Sequence, residues 1–335
     1  MPTPTPTPVP TPVPAGLFVG VSGNHLVNGA GQPIRLLGVN RAGSSYSCIG
    51  GWGFFDGPID DASVAAIASW HANAVRVDLN EDCWLGINGI SPALSGAAYQ
   101  SAIVNYVNTL HRHNLYVILE LHWNAPGGAL ATGQLPMPDA DHSPAFWQSV
   151  ATVFKNDHAV LFDLYNEPYG VSWACWRDGC SSPGWQVAGM QGLVNTVRGT
   201  GATQPIMIGG LDWANDLSAW LQYKPSDSRN ALVASFHVYT SDFTPGCNTT
   251  GCWNSVLAPL ARSVPIVIGE MGETDCGHGF IDGVMAWADG NGVSYLAWVW
   301  DTWGSGCSDI SLISNYNGTP TGYGAGLRNH LLAIN

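Results

Sequence analysis

Two glutamates sit at the ends of stretches that otherwise read as buried strands. L-F-D-L-Y-N-E-P-Y (161–169) is apolar and aromatic until it delivers Asn166 and Glu167, and P-I-V-I-G-E (265–270) closes on Glu270. A third apolar run, A-V-R-V-D-L (74–79), carries Arg76 at its centre. A guanidinium placed in such a run needs an anionic partner, because an unpaired buried charge is prohibitively costly. Two carboxylates sharing a low-dielectric cleft cannot both ionise as they would in water, so one keeps a proton at neutral pH while the other stays charged. One then protonates a leaving oxygen and the other attacks carbon. In glycosidic-bond cleavage a pair about 5 to 5.5 Å apart retains anomeric configuration, and a pair about 6.5 to 9.5 Å apart inverts it.

Such a pair needs a scaffold that brings residues distant in sequence to one place. Eight compact apolar runs recur along the chain, at 34–39, 74–79, 116–121, 160–165, 206–210, 232–238, 265–270 and 294–299. Stretches with helical spacing separate them, among them Asp61 to His71, Ala97 to His113, Pro144 to Asn156 and Gln186 to Thr200. Parallel strands joined by helical crossovers predict an α/β fold of the (β/α)₈ TIM-barrel type. The rival, a doubly wound open sheet, lacks a G-x-G-x-x-G after its first strand. Phe18 to Pro33 reads as a short N-terminal β-hairpin with Asn-Gly turn chemistry, serving as a lid or plug. In a barrel the working face lies at the C-terminal strand ends. There the sequence places Asn40, Arg76 with Asn80, His122, Asn166 with Glu167, His237 with Tyr239, Glu270, and Trp298 with Trp300. The competing reading of the two glutamates is a structural ion-pair network with Arg76 and the histidines. No H-E-x-x-H or closely spaced C-x-x-C occurs, so no metal site and no cofactor are expected.

Composition narrows the partners. With 24 acidic against 11 basic residues the chain carries a net charge of −13, which repels a phosphate backbone or an anionic membrane surface. No nucleic acid and no membrane is expected, since no apolar run approaches about 18 residues. The 15 Trp and 11 Tyr supply flat faces on which sugar rings stack. Residues 1–15, rich in Pro and Thr, form a linker that cannot pack a core and should be disordered or extended in polyproline II form. The catalytic domain then occupies 16–335, and the linker implies a carbohydrate-binding module tethered upstream of it.

Read together, these segments resemble glycoside hydrolase family 5, the retaining endo-β-1,4-glucanases and β-mannanases, from Leu17 to the C-terminus. N-E-P (166–168) is similar to that family's acid/base motif, and I-V-I-G-E (266–270) to its nucleophile strand. N-A-V-R (73–76), L-H-W (121–123) and H-V-Y (237–239) resemble its arginine, histidine and histidine-tyrosine segments. The resemblance implies Glu167 as acid/base, Glu270 as nucleophile and Asn166 on the sugar 2-hydroxyl. Arg76 and Tyr239 would then hold Glu270 ionised. His122 and His237 would line the site, with Trp298, or Trp300 on the same face by alternation, as its floor. Asn40 and Trp123 complete the substrate-binding set. Asp78 stands where the family more usually has proline, and Glu120 where it often has aspartate, which weakens any transfer of specificity.

The eight cysteines all fall in or beside loops of the catalytic face and suggest an oxidising, extracellular compartment. Neighbourhood favours Cys48 with Cys83, Cys175 with Cys180, Cys247 with Cys252 and Cys276 with Cys307, among 105 possible connectivities. These bridges would stiffen loops walling a cleft. Exposed Trp in W-G-F-F (52–55) and at Trp84, Trp123, Trp173, Trp176, Trp213 and Trp253 would help to line it. The expected protein is a secreted, monomeric, retaining endo-β-glycanase acting on a polysaccharide, cellulose-like glucan first. The alternatives are mannan, xyloglucan or xylan as substrate, or a non-catalytic carbohydrate-binding barrel.

Overall fold

Continuous apolar runs rather than alternating ones mark strands covered on both faces, and these runs form such strands. The computed structural model describes Pro10, Val13 and residues 16–240, 246–303 and 310–334. Of the Pro/Thr-rich segment 1–15 only Pro10 and Val13 are included, so the linker expectation lies outside the described residues. The chain opens with a small antiparallel sheet, β1 (Gly20–Ser22), β2 (His25–Val27) and β3 (Pro33–Ile34). Eight strands follow: β4 (Leu37–Arg41), β5 (Ala74–Asn80), β6 (Tyr116–Trp123), β7 (Val160–Asp163), β8 (Ile206–Gly209), β9 (Leu232–Tyr239), β10 (Ile266–Gly272) and β11 (Ser294–Ala297). They pair in sequence order and close through parallel pairing of β11 with β4, Tyr295 opposite Leu37. Closure excludes the open sheet. A short pair, β12 (Ile313–Asn315) and β13 (Thr319–Pro320), precedes the C-terminal helix Gly322–Ile334.

The helices run at Asp61–Ala68, Ala97–Arg112, Ser143–Phe154, Met190–Gly199 and Gly279–Asn291, with shorter turns elsewhere. Asp60 starts the first of them by accepting the Ser63 N–H, an N-cap worth about 1 kcal/mol. The expected start at Gln186 moves to Met190 because the backbone before it is bound to a loop: Ala140 N–H donates to Gln186 O and Ala188 N–H to Pro138 O. Backbone pairing there overrides helical periodicity.

The N-terminal sheet is a plug at the bottom of the barrel, opposite the strand ends that carry the polar residues. Val19 and Leu26 pack with Ile118, Leu161, Met207, Val233, Val267 and Leu296, from six of the barrel strands. Val19 N–H donates to His158 O, and Asn24 Nδ2 to Ala261 O. Disulfides join Cys48 to Cys83, Cys175 to Cys180 and Cys247 to Cys252. Cys307, expected to pair with Cys276, lies outside the described residues. Among the described residues no helix is long and apolar enough to cross a membrane.

Leu26→Ala in the plug should lower unfolding free energy by about 2–4 kcal/mol through lost burial and a cavity, measured by denaturant titration. A change below about 0.5 kcal/mol would show that the plug is not part of the core.

Candidate active site

Arg76 organises the mouth of the barrel. It is fully buried on β5, and each arm of its guanidinium has a partner. Nε donates to Asp163 Oδ2 at 3.0 Å, Nη1 to Glu270 Oε1 at 2.8 Å and Asn40 Oδ1 at 3.1 Å, and Nη2 to Asn166 Oδ1 at 2.9 Å. Asn40 also donates to the Gly269 and Ala297 carbonyls, so it ties β4 to its neighbours rather than facing the cleft. Asn80 likewise serves the scaffold, capping the following helix through Cys83 N–H.

Around Arg76 lie three carboxylates that the sequence did not mark as a set. Asp78 on β5 is in register with Glu120 on β6, and Glu120 with Asp163 on β7. Glu120 and Asp78 approach Arg76 at 3.6 and 3.9 Å. One guanidinium cannot neutralise four ionised carboxylates. Burial pushes Asp78 and Glu120 well above the ordinary carboxylate range, so these two retain protons near neutrality, while Asp163, bound to Arg76, is raised only to about 6. Burial pulls the Arg76 guanidinium down, but Glu120, Asp163, Glu270 and Asp78 together hold it well above its usual value. Asp163 was detectable in principle as an acid inside the run V-L-F-D.

The two glutamates meet at the top. Glu167, just beyond β7, and Glu270, on β10, each bring a carboxylate oxygen within 4.8 Å of the other and of a His237 ring nitrogen. His237 Nδ1 lies 3.0 Å from Glu167 Oε1 and 3.6 Å from Glu270 Oε2. Burial pulls His237 down to about 3, so the imidazole is neutral and can donate from a protonated Nδ1. Gly269 makes room for that ring, since a Cβ there would stand 2.9 Å from His237 Nε2. Glu270 receives Arg76 on one oxygen and Tyr239 O–H on the other at 2.5 Å. Glu167 has no such donors of positive charge, and burial pushes it to about 7 against the opposing pull of His122 and Arg76. The environments of the pair therefore differ: cationic Arg76 is bound to Glu270, whereas burial dominates at Glu167.

A cleft of about 460 Å³ surrounds these groups, with His122, Asn166, Trp213, Tyr239 and Trp298 in its lining. Trp298 stacks on His122, ring centres 5.6 Å apart and planes within 11°, and His122 Nδ1 is oriented from below by Glu120 at 3.1 Å and Asp78 at 3.4 Å. Trp123 stands to one side against Tyr46, which also contacts Trp52 and Trp303. Gln134, from the loop between β6 and its helix, joins Asn166 Nδ2 to its Oε1 at 3.0 Å and donates to Glu167 O at 2.9 Å. No local pattern announces it.

Several aromatic expectations need correction. Trp300 is not brought to the cleft: β11 ends at Ala297, alternation stops with it, and the indole packs edge-on to Trp70 at 4.7 Å in the core. Trp84, Trp176 and Trp253 are core residues as well. Their indole N–H groups reach Ser149, the Gly209 carbonyl and the Cys247 carbonyl, which makes burial affordable. Trp52 and Trp213 are exposed. Trp213 sits between Asp212 and Ala214 in three consecutive left-handed residues (φ 51°, 57° and 59°), a conformation costing about 1–2 kcal/mol per residue. The strained turn is held by Trp213 N–H to Pro168 O and by face-to-face stacking on Tyr169 at 4.7 Å, which fixes the indole beside Glu167.

Among the described residues, three groups of side chains could hold a cation. Glu167, His237 and Glu270 form one, and Asp78, Glu120 and His122 another, but the Arg76 guanidinium already supplies positive charge to both. The third, Glu81 with Asp139 and His142, lies apart from Arg76.

The model of Cellulase (glycosyl hydrolase family 5) matches residues 27–304. A mannan endo-1,4-beta-mannosidase of Streptomyces lividans is 25% identical over 89% of this chain and 70% of its own length. Endoglucanase E-5 of Thermobifida fusca is 24% identical over 80% of this chain, which spans about half (51%) of that enzyme. Among solved structures, a beta-glucanase from Saccharophagus degradans covers 98% of both chains with a TM-score of 0.73 at 20% identity, a likeness of fold. The chain belongs to glycosyl hydrolase family 5.

Proposed function

We propose that this protein is a retaining endo-β-1,4-glycanase that cleaves β-1,4-glucan chains, with Glu167 as acid/base and Glu270 as nucleophile. The observation that carries the reading is the approach of the two carboxylates within 4.8 Å, with Arg76 and Tyr239 bound to Glu270 alone. That approach fits the closer carboxyl pair of a retaining enzyme, with direct attack on the sugar, better than the wider pair of an inverting one. Glu270 attacks the anomeric carbon while Glu167 gives its proton to the departing glycosidic oxygen, forming a glycosyl-enzyme ester. Glu167, now a carboxylate, takes a proton from water, whose oxygen displaces Glu270 from the same carbon. Asn166, braced by Arg76 and Gln134, is placed to hold the sugar 2-hydroxyl, and Trp298 and Trp213 offer flat faces on either side of the cut. The disulfides of the catalytic face suit an exported enzyme.

Mannan is the second reading, favoured by the Streptomyces lividans mannosidase among the relatives. Mannose and glucose differ only in the direction of the 2-hydroxyl, so Asn166 and Gln134 sit where the choice is made. Initial rates on soluble glucan, mannan, xyloglucan and xylan decide between the readings, and NMR of the first product tests retention: an α-anomer appearing first would refute Glu270 as nucleophile.

Glu270→Ala should abolish turnover while circular dichroism and melting temperature stay near wild type. Glu167→Gln should lower kcat by about 10²–10⁴-fold on polysaccharide, with smaller loss on aryl glycosides whose leaving group needs no proton. Because Glu167 must be protonated to act and its pKa is raised to about 7, kcat/KM should fall as pH rises through about 7, and that basic limb should vanish in Glu167→Gln. Trp213→Ala should raise KM severalfold with kcat within about threefold, the mark of lost uniform binding; an unchanged KM would remove it from the substrate path.

A further inference from the structure

We propose that Glu81, Asp139 and His142 form a binding site for a divalent transition cation of the zinc or manganese kind, outside the catalytic cleft and independent of the function proposed above. Glu81 opens the short helix Glu81–Leu85 that follows β5, and Asp139 and His142 close the long loop that follows β6. One donor atom from each lies within 4.8 Å of the other two, and His142 Nδ1 stands 3.8 Å from both Glu81 Oε1 and Asp139 Oδ1. The Ala125 carbonyl reaches the same nitrogen at 3.2 Å. Two carboxylates and a carbonyl thus converge on one ring nitrogen that can donate a single proton. Acceptors outnumber N–H and hydroxyl donors, and none of those donors reaches the buried Glu81 Oε1, so the facing carboxyls of Glu81 and Asp139 share a proton that a bound cation would displace.

Among the described residues no Lys or Arg pairs with Glu81 or Asp139. The surrounding bonds resemble the outer shell of a metal site, which orients ligands without consuming their free lone pairs. Ser143 Oγ donates to Glu81 Oε2 at 2.6 Å, Asn124 Nδ2 to Asp139 Oδ2 at 2.8 Å, and His142 N–H to Asp139 Oδ1 at 2.7 Å. Exposed Asp141, anchored by Gly127 N–H, marks the solvent side. An imidazole with two carboxylates suits zinc or manganese better than calcium, which prefers oxygen throughout. A bound ion would clamp the loop carrying Gln134, and through it Asn166 and the Glu167 backbone, to the body of the barrel.

The test is calorimetric titration of chelator-stripped full-length protein with Zn²⁺, Mn²⁺ and Ca²⁺, with melting temperature followed in parallel. The wild type should bind about one equivalent of Zn²⁺ or Mn²⁺ and melt a few degrees higher at saturation. His142→Ala, at a half-buried position, should weaken binding at least tenfold while leaving the metal-free melting temperature within about 2 °C, and Glu81→Gln should do the same to affinity. No binding of either transition ion, binding unaltered in both variants, or binding lost in Glu167→Gln but kept in His142→Ala would overturn the site. So would calcium bound in preference to both and indifferent to His142.

Discussion

The buried guanidinium of Arg76 is the interaction on which the rest of the site depends. Taken alone it would be ruinous, since a cation stripped of water inside a barrel costs several kcal/mol even after relaxation. Its surroundings offset that cost by giving every arm a hydrogen-bonded partner: Asn40 of β4, Asp163 of β7, Asn166 just beyond β7 and Glu270 of β10. One side chain therefore fixes the relative position of groups scattered over more than two hundred residues of sequence. It also sorts the two glutamates electrostatically, because only Glu270 touches it.

Around that centre the barrel separates stability from chemistry. Its lower half is an apolar layer sealed by the N-terminal sheet through Val19 and Leu26. Above it come the carboxyl groups of Asp78 and Glu120, which keep protons near neutrality, and of Asp163, which pairs with Arg76; together they hold His122 and Arg76 in place. The strained, Trp-bearing turn at 212–214 and the disulfide-linked loops lie at the top, where departures from regular backbone shape a binding surface. Such strain persists only where neighbours over-determine it, here Pro168 and Tyr169.

Much of this was legible in the sequence because it rests on local pattern. Continuous apolar runs marked the barrel strands, and polar residues at their ends marked the mouth. Glu167 and Glu270 stood out as acids where strands should finish. What could not be read was non-local or hung on a boundary. Trp300 was misplaced because alternation was carried three residues past the end of β11. Trp84, Trp176 and Trp253 looked available for sugar because burial of an indole depends on a partner for its N–H, which no window of sequence reveals. Gln134 reaches the site from a loop without periodicity. Glu81, Asp139 and His142 escape any motif because the loop's path, and not their spacing, brings them together.

Glu270, held by Arg76 and Tyr239, is proposed as the group that bonds to sugar carbon. Trapping with an activated 2-deoxy-2-fluoro glycoside, which slows hydrolysis of the intermediate, followed by peptide mapping in a mass spectrometer, tests it most directly. One equivalent of label is expected, on the peptide containing Glu270, released when excess acceptor sugar is added. Label on Glu167, or no covalent adduct from an enzyme that turns over its natural polysaccharide with inversion, would contradict it.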